Sequence, residues 1–245
     1  MFNILISVGC GVAVFLIMVL GFNLVWWGAL LTALAVVAVV MVVLVKLIIN
    51  KIMAVNDAAA KDLQAQRIDK AIRDLKDAIK KYSRWQIYVE GQLNAQIGSI
   101  YYMRRDFSSA FPHLEKSFVR NWVSMAMLAI CYMKRQKKGK MIETFEKAVR
   151  WTTKEPLLWN VYAYCLNESG EPTKAREALE RGIRKLPSNA ALKENMEQLK
   201  QGKKMKMRDY GDMWYQFHLE SLGALQKHQM AGMGGRMQRR KVVRR

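Results

Sequence analysis

No Asp, Glu, Lys, Arg or His side chain occurs before Lys46. Soluble domains do not open on such a long uncharged and mostly apolar stretch, which argues against an ordinary soluble enzyme. Cysteine is scarce. Three in 245 residues cannot staple a secreted disulfide scaffold. There is no CxxC pair, no HExxH and no closely spaced histidine, and His113, His218 and His228 have no companion ligands in the sequence. Gly232–Gly235 lacks the preceding strand and the Lys-Ser/Thr ending of a phosphate loop. No nucleophile–base constellation can be assembled. The expectation is therefore a non-enzyme, with no catalytic residue, no cofactor and no metal. An apolar fraction of 51% rules out a disordered chain. Acidic residues are the other shortage, at 20 against 40 Lys plus Arg, which leaves a formal charge of +20.

As a single helix the uncharged stretch would be about 67 Å long, whereas a hydrocarbon core is about 30 Å thick. The chain is expected to fold back at Gly21-Phe22-Asn23, giving spans near Phe2–Leu20 and Leu24–Val45. Trp26 and Trp27 beside the turn suit the headgroup level. A cleaved signal peptide fits poorly, since there is no basic leading region and the apolar run is too long. The turn carries no charge, while everything from Lys46 onward is strongly basic, so both termini are expected in the cytoplasm. The reading is a two-pass integral protein of a bacterial inner membrane. No ionisable group marks a transport path within the spans.

Beyond the hairpin the sequence repeats. In Pro156–Asn189, Trp159, Ala163, Leu166, Gly170, Ala175, Leu179, Gly182 and Pro187 carry a pattern of two helices around a Gly turn. Trp122–Glu155 follows it with Met125, Leu128, Ala129, Tyr132, Phe145 and Ala148, departing at Met141 and Thr153. Gly91–Asn121 follows it with Gly98, Tyr101, Ala110, Leu114 and Ser117, three residues short of the 34-residue period. Ala71, Leu75 and Ala78 look like the second helix of a degenerate unit whose first helix, Ala54–Gln66, continues from the second span. These units resemble the tetratricopeptide repeat. Cys131 and Cys165 share the tenth repeat position, which reads as packing. Leu192, Met196 and Leu199 mark a solvated capping helix. The fold class is all-α, with a transmembrane hairpin (1–50), a helical repeat domain (51–202), an amphipathic helix (203–229) and a flexible basic tail (230–245).

The resemblance implies a protein-binding groove lined by the first helix of each unit. Its partner-binding positions here are Tyr102, Met103, Ala126, Ile130, Met133, Asn160, Tyr164 and Asn167. The Lys/Asn/Arg clamp that some members use for chaperone tails is absent, and the apolar groove suits an amphipathic helix or an extended peptide. Asp209–Gln229 places Tyr210, Met213, Trp214, Phe217 and Leu222 near helical spacing. Three fates are open to it: packing on the last repeat, lying on the membrane, or occupying the groove of its own or another copy. Arg236, Arg239, Arg240, Lys241, Arg244 and Arg245 are candidate contacts to anionic lipid or to phosphates. The expected role is a membrane-anchored scaffold mediating protein–protein interactions, with membrane lipid and a protein as partners and a homo-oligomer open. The alternative is a docking factor for ribosomes, nascent chains or anionic lipid through the tail. Nucleic acid other than ribosomal RNA is not expected.

Overall fold

A computed structural model describes residues 2–22, 25–221, 223, 226 and 230. All regular structure among the described residues is helical. The described residues divide into two units, one within 2–100 and 112–118 and the other within 101–111 and 119–230.

In the first unit, α1 (Phe2–Phe22) and α2 (Trp26–Gln64) are antiparallel partners. At about 1.5 Å per residue α1 is about 31 Å long and α2 about 58 Å. The part of α2 before Lys46 is about 30 Å, one hydrocarbon thickness. The helix then runs on without a break, as the repeat pattern predicts, until Gln64. There the chain turns through Gln66, at φ +61°, into α3 (Ile68–Tyr82). Asp62 is buried near this corner and accepts from Lys70 Nζ at 2.7 Å, while its carbonyl accepts from the Arg67 amide at the same distance. Ala71, Ile72, Leu75, Ala78 and Tyr82 form the buried face of α3, at i, i+1, i+4, i+7 and i+11. The next helix, α4 (Ile87–Met103), buries Leu93, Ala95 and Ile97 completely.

The second unit holds the regular repeats. Helix α5 (Phe107–Glu115), which is divided between the two units at Pro112, is only 9 residues long, against 14 residues in the equivalent second helices. The helix is five residues shorter and its connection to the next helix two residues longer (116–121 against 152–155), which together account for the three residues missing from the repeat. Helices α6 (Trp122–Lys134) and α7 (Lys138–Trp151) form one hairpin, and α8 (Pro156–Glu168) and α9 (Pro172–Lys185) the next. Corresponding helices begin 34 residues apart, at 122 and 156 and again at 138 and 172. Start signals are local: Asn121 Oδ1 accepts from the Ser124 amide, and Pro156 and Pro172 occupy first helical positions, where a missing N–H costs nothing. Small residues set the interhelical distance. A Cβ on Gly182 would sit 2.9 Å from the Trp159 ring, closer than real contacts allow, so only glycine lets α9 approach α8 here. The core is Met141, Phe145, Leu158, Val161, Ala163 and Leu179, all fully buried. Helix α10 (Ala190–Lys200), capped by Asn189, closes the series against α8 and α9. The described residues form an all-α protein, an apolar helix pair followed by helix hairpins that repeat at a 34-residue interval.

Candidate peptide-binding groove

In the second unit, the end of α4 together with α6, α8 and the closing helix α10 faces a segment of the chain itself. After α10 the backbone leaves through Gln201–Lys204 and runs back across these helices as a 3-10 turn (Arg208–Tyr210) and a one-turn helix, α11 (Asp212–Tyr215). Where helical spacing predicts an amphipathic helix from Asp209, the described residues up to Phe217 hold these two short turns. Residues 205–218 pack back on helices of their own chain, on Asn160, Tyr164 and Asn195 of α8 and α10 and on Tyr102 and Trp122. Met207, Trp214 and Phe217 are at most 1% exposed.

The first half of the segment is held by amides. Asn195 of α10 accepts from the Lys206 backbone N–H at 2.7 Å and donates to Asn160 Oδ1 at 2.8 Å. Asn160 Nδ2 in turn donates to the Pro156 carbonyl at 3.0 Å and to the Tyr210 hydroxyl at 2.7 Å. Both amide hydrogens and the carbonyl oxygen of Asn160 are thereby used, which is what a fully buried side chain of this kind requires. Burial pushes the Tyr210 phenol up to about 12.

The second half is held by rings. Trp214 lies edge-on to Tyr164, centroids 4.9 Å apart, and its indole N–H donates to Glu220 at 3.3 Å. Phe217 lies 6.3 Å from the Trp122 ring, and its carbonyl accepts from the buried Tyr102 hydroxyl at 2.7 Å. His218 stacks on Tyr102 at 5.7 Å in a left-handed conformation, φ +51°. Its Nε2 lies 3.3 Å from the Met103 carbonyl. A carbonyl only accepts, so Nε2 carries the proton, and Nδ1 is buried without a partner.

Among the predicted groove residues, Tyr102, Asn160 and Tyr164 touch the segment directly. Ala126 and Ile130 are fully buried on α6, and Met133 and Asn167 are half-buried. Met103 contributes its carbonyl, while its side chain points to solvent at 59% exposure. Asn195, Trp122 and Phe107 line the same surface and escaped the sequence reading. Asn195 had a signal, since it is a polar residue among Leu192, Met196 and Leu199 on the apolar face of α10. Burial raises the Cys131 thiol to about 11 and raises Cys165 as well, as fits inert packing cysteines. The tail residues Arg236, Arg239, Arg240, Lys241, Arg244 and Arg245 lie outside the described residues.

A second concavity of about 640 Å³ lies between α7 and α9, lined by Glu146, Arg150, Trp159, Arg181, Arg184 and Lys185. Arg181 donates to both Glu146 oxygens at 2.7 and 2.8 Å, and this pairing holds the Glu146 carboxyl below its ordinary range. Arg150, Arg184 and Lys185 sit in the last turns of their helices, where the carbonyl ends favour cations.

No known family matches the chain by sequence, and no curated protein does. Among solved structures the chain is similar to the crystal structure of MamA protein. The identity is 19%, the match covers 69% of this chain and 90% of that one, and the TM-score is 0.48.

The lowered His218 pKa predicts a pH dependence for seating of the segment. Burial, then Arg105, then Lys134 lower its pKa from the ordinary 6.5. A base whose seated pKa lies below its free value favours the seated state fully above the free pKa, and that contribution falls as pH drops below it. Tyr102, whose pKa is raised well above its ordinary value by burial, stays neutral throughout this window. Amide protection at Phe217 and His218, corrected for intrinsic exchange, is expected to fall between pH 7.5 and 5.5. His218→Asn, which tolerates the left-handed backbone, should flatten that dependence. An equal slope in both proteins would remove His218 as the cause.

Proposed function

We propose that the protein is a two-pass membrane-anchored scaffold of helix-hairpin repeats that holds protein partners at the cytoplasmic face of a bacterial inner membrane. The observation that carries this reading is the state of α1 and α2. Both are long and apolar enough to cross a bilayer, yet only 11% of each apolar window is buried within the protein. The core helix of a soluble domain would be mostly covered. Here Leu5, Leu20, Leu31 and Val39 face outward instead, as lipid-facing side chains do. Direct passage of α2 into the first repeat joins the anchor to the scaffold by continuous helix rather than by a flexible linker. Support for a peptide-binding role comes from the groove, which accommodates a short, mostly non-helical segment through backbone bonds and ring contacts, one of the ways repeat surfaces take peptides.

Alkaline carbonate extraction tests the anchor. The full chain is expected in the pellet, and a variant lacking residues 2–45 in the supernatant. Topology follows from cysteine labelling in a background with the native cysteines replaced by serine. An impermeant maleimide should label Asn23→Cys in intact cells and Gly202→Cys only after permeabilisation. Full-length protein in the supernatant, or the reverse labelling order, would overturn the reading.

A further inference from the structure

We infer that residues 205–218 are a built-in competitor occupying the groove, and that the partner displacing them is a basic–aromatic peptide carrying the same anchors. This rests on the scaffold reading above and specifies what its groove takes.

Four observations separate a captured ligand from a fixed piece of the fold. First, the segment borrows its shape: a three-residue 3-10 turn and a four-residue helix are too short to stand alone, so the groove imposes the conformation. Second, both ends are gripped through the backbone, at the Lys206 N–H by Asn195 and at the Phe217 carbonyl by Tyr102. Bonds of this kind accept any sequence, and selectivity then falls to the ring sites beside Tyr164 and Trp122. Third, the connection to α10 is an exposed stretch, Gln201–Lys204, with Gly202 at φ +65° and backbone bonds only to the end of α10, so the segment can leave without disturbing a packed element. Fourth, the seat is imperfect where it ends: His218 holds a left-handed backbone and a buried, unpartnered Nδ1. Release of the segment relieves both costs.

The groove also states what an incoming peptide must offer. It needs a free backbone N–H for Asn195, with a cation near Glu194, the role Lys206 fills now. Four residues further along it needs a hydroxyl-bearing side chain for Asn160. An indole-sized ring must then reach Tyr164, and a second ring must lie beside Trp122 with its carbonyl toward Tyr102. In Met207–Phe217 these are Tyr210, Trp214 and Phe217, at i, i+4 and i+7. A peptide lacking the two rings would leave the Tyr164 and Trp122 faces bare. Because the tether gives the segment an effective concentration on the order of millimolar, a segment of about micromolar intrinsic strength weakens any competing peptide by about a thousandfold until it is out.

The test severs the tether in the full chain, purified in detergent micelles, by placing a sequence-specific protease site between Gln201 and Lys204. The probe is a fluorescent synthetic peptide of residues 203–221. Uncut protein is expected to bind it at least a hundredfold more weakly than protein that has been cut, immobilised and washed. A probe with Trp214→Ala and Phe217→Ala should not bind either form. The uncut Trp214→Ala/Phe217→Ala protein, whose groove residues are intact, should behave like the cut one, which covers the case where cutting harms folding. Equal binding to uncut and cut protein, or no binding to either opened form while its helical circular dichroism is retained, would overturn the inference. So would an uncut chain that runs as a dimer with exchanged segments. The assay is performed in micelles and reads the groove alone. Failure of the carbonate extraction would therefore sink the anchor without touching this result.

Discussion

Trp214→Ala combined with Phe217→Ala is expected to lower amide protection across Lys206–His218 by at least two to three orders of magnitude, while α6–α9 keep theirs. Both side chains are fully buried, and truncating a buried Phe or Trp costs about 3–5 kcal/mol. At about 1.4 kcal/mol per factor of ten, one such loss already corresponds to a 10²–10³-fold shift toward the open segment. The effect should stay local because no core helix of a hairpin runs through the segment. In a repeat array each unit leans mainly on its neighbours. Met213→Ala is the matched control: that side chain is 51% exposed in the same turn, and its loss should leave protection nearly unchanged. Hydrogen–deuterium exchange read by mass spectrometry on the full chain reports all three regions at once. Unchanged exchange in the double variant would mean that the rings do not hold the segment.

The architecture could be read from the sequence because its two strongest signals are one-dimensional. A run without charge is visible to the eye, and a 34-residue period needs only spacing. Hence α6 to α9 fall where Trp122–Glu155 and Pro156–Asn189 place them, and α2 passes into the first repeat as Ala54–Gln66 suggests. Occupancy of the groove is a different kind of fact. Tyr210, Trp214 and Phe217 recur at i, i+4 and i+7, and that spacing is satisfied both by a long amphipathic helix and by a short turn pressed into a surface. The surface decides. Gly211, at φ +55° and ψ −136°, breaks the helix between Tyr210 and Asp212, and Asn160 and Tyr164 fix the rings on either side. Asn195 stayed hidden for the same reason: its function is defined by a backbone N–H eleven residues later in the chain, at Lys206. The groove positions Tyr102, Asn160 and Tyr164 came from the repeat register. What lies against them depends on long-range packing that no local pattern encodes.

Phe145→Ala is expected to produce the largest loss of stability among single substitutions in the repeats, about 3–5 kcal/mol. Phe145 is fully buried in α7, and its ring stacks on Tyr162 of α8 at 4.8 Å with only 21° between planes. It therefore joins consecutive hairpins rather than the two helices of one. Tyr162 also donates its hydroxyl to Glu146 at 2.9 Å, and Glu146 takes the two bonds from Arg181 of α9. Removing the Phe145 ring undercuts the apolar side of this junction and leaves its polar side standing. Tyr162→Phe does the reverse, keeping the stack and deleting one hydrogen bond, for about 1 kcal/mol. A domain is stable by about 5–15 kcal/mol in all, so the first change removes a large share and the second little. With a urea slope of about 1–3 kcal/mol per molar, the midpoint should fall by roughly 1–5 M for Phe145→Ala and by no more than about 1 M for Tyr162→Phe. Because the two rings are in contact, Phe145→Ala combined with Tyr162→Ala, which removes both rings, should cost less than the sum of those two separate truncations. Strict additivity would show that the stacked pair does not couple the hairpins. Stability would then come from each hairpin's own core, with the interface between units contributing only area.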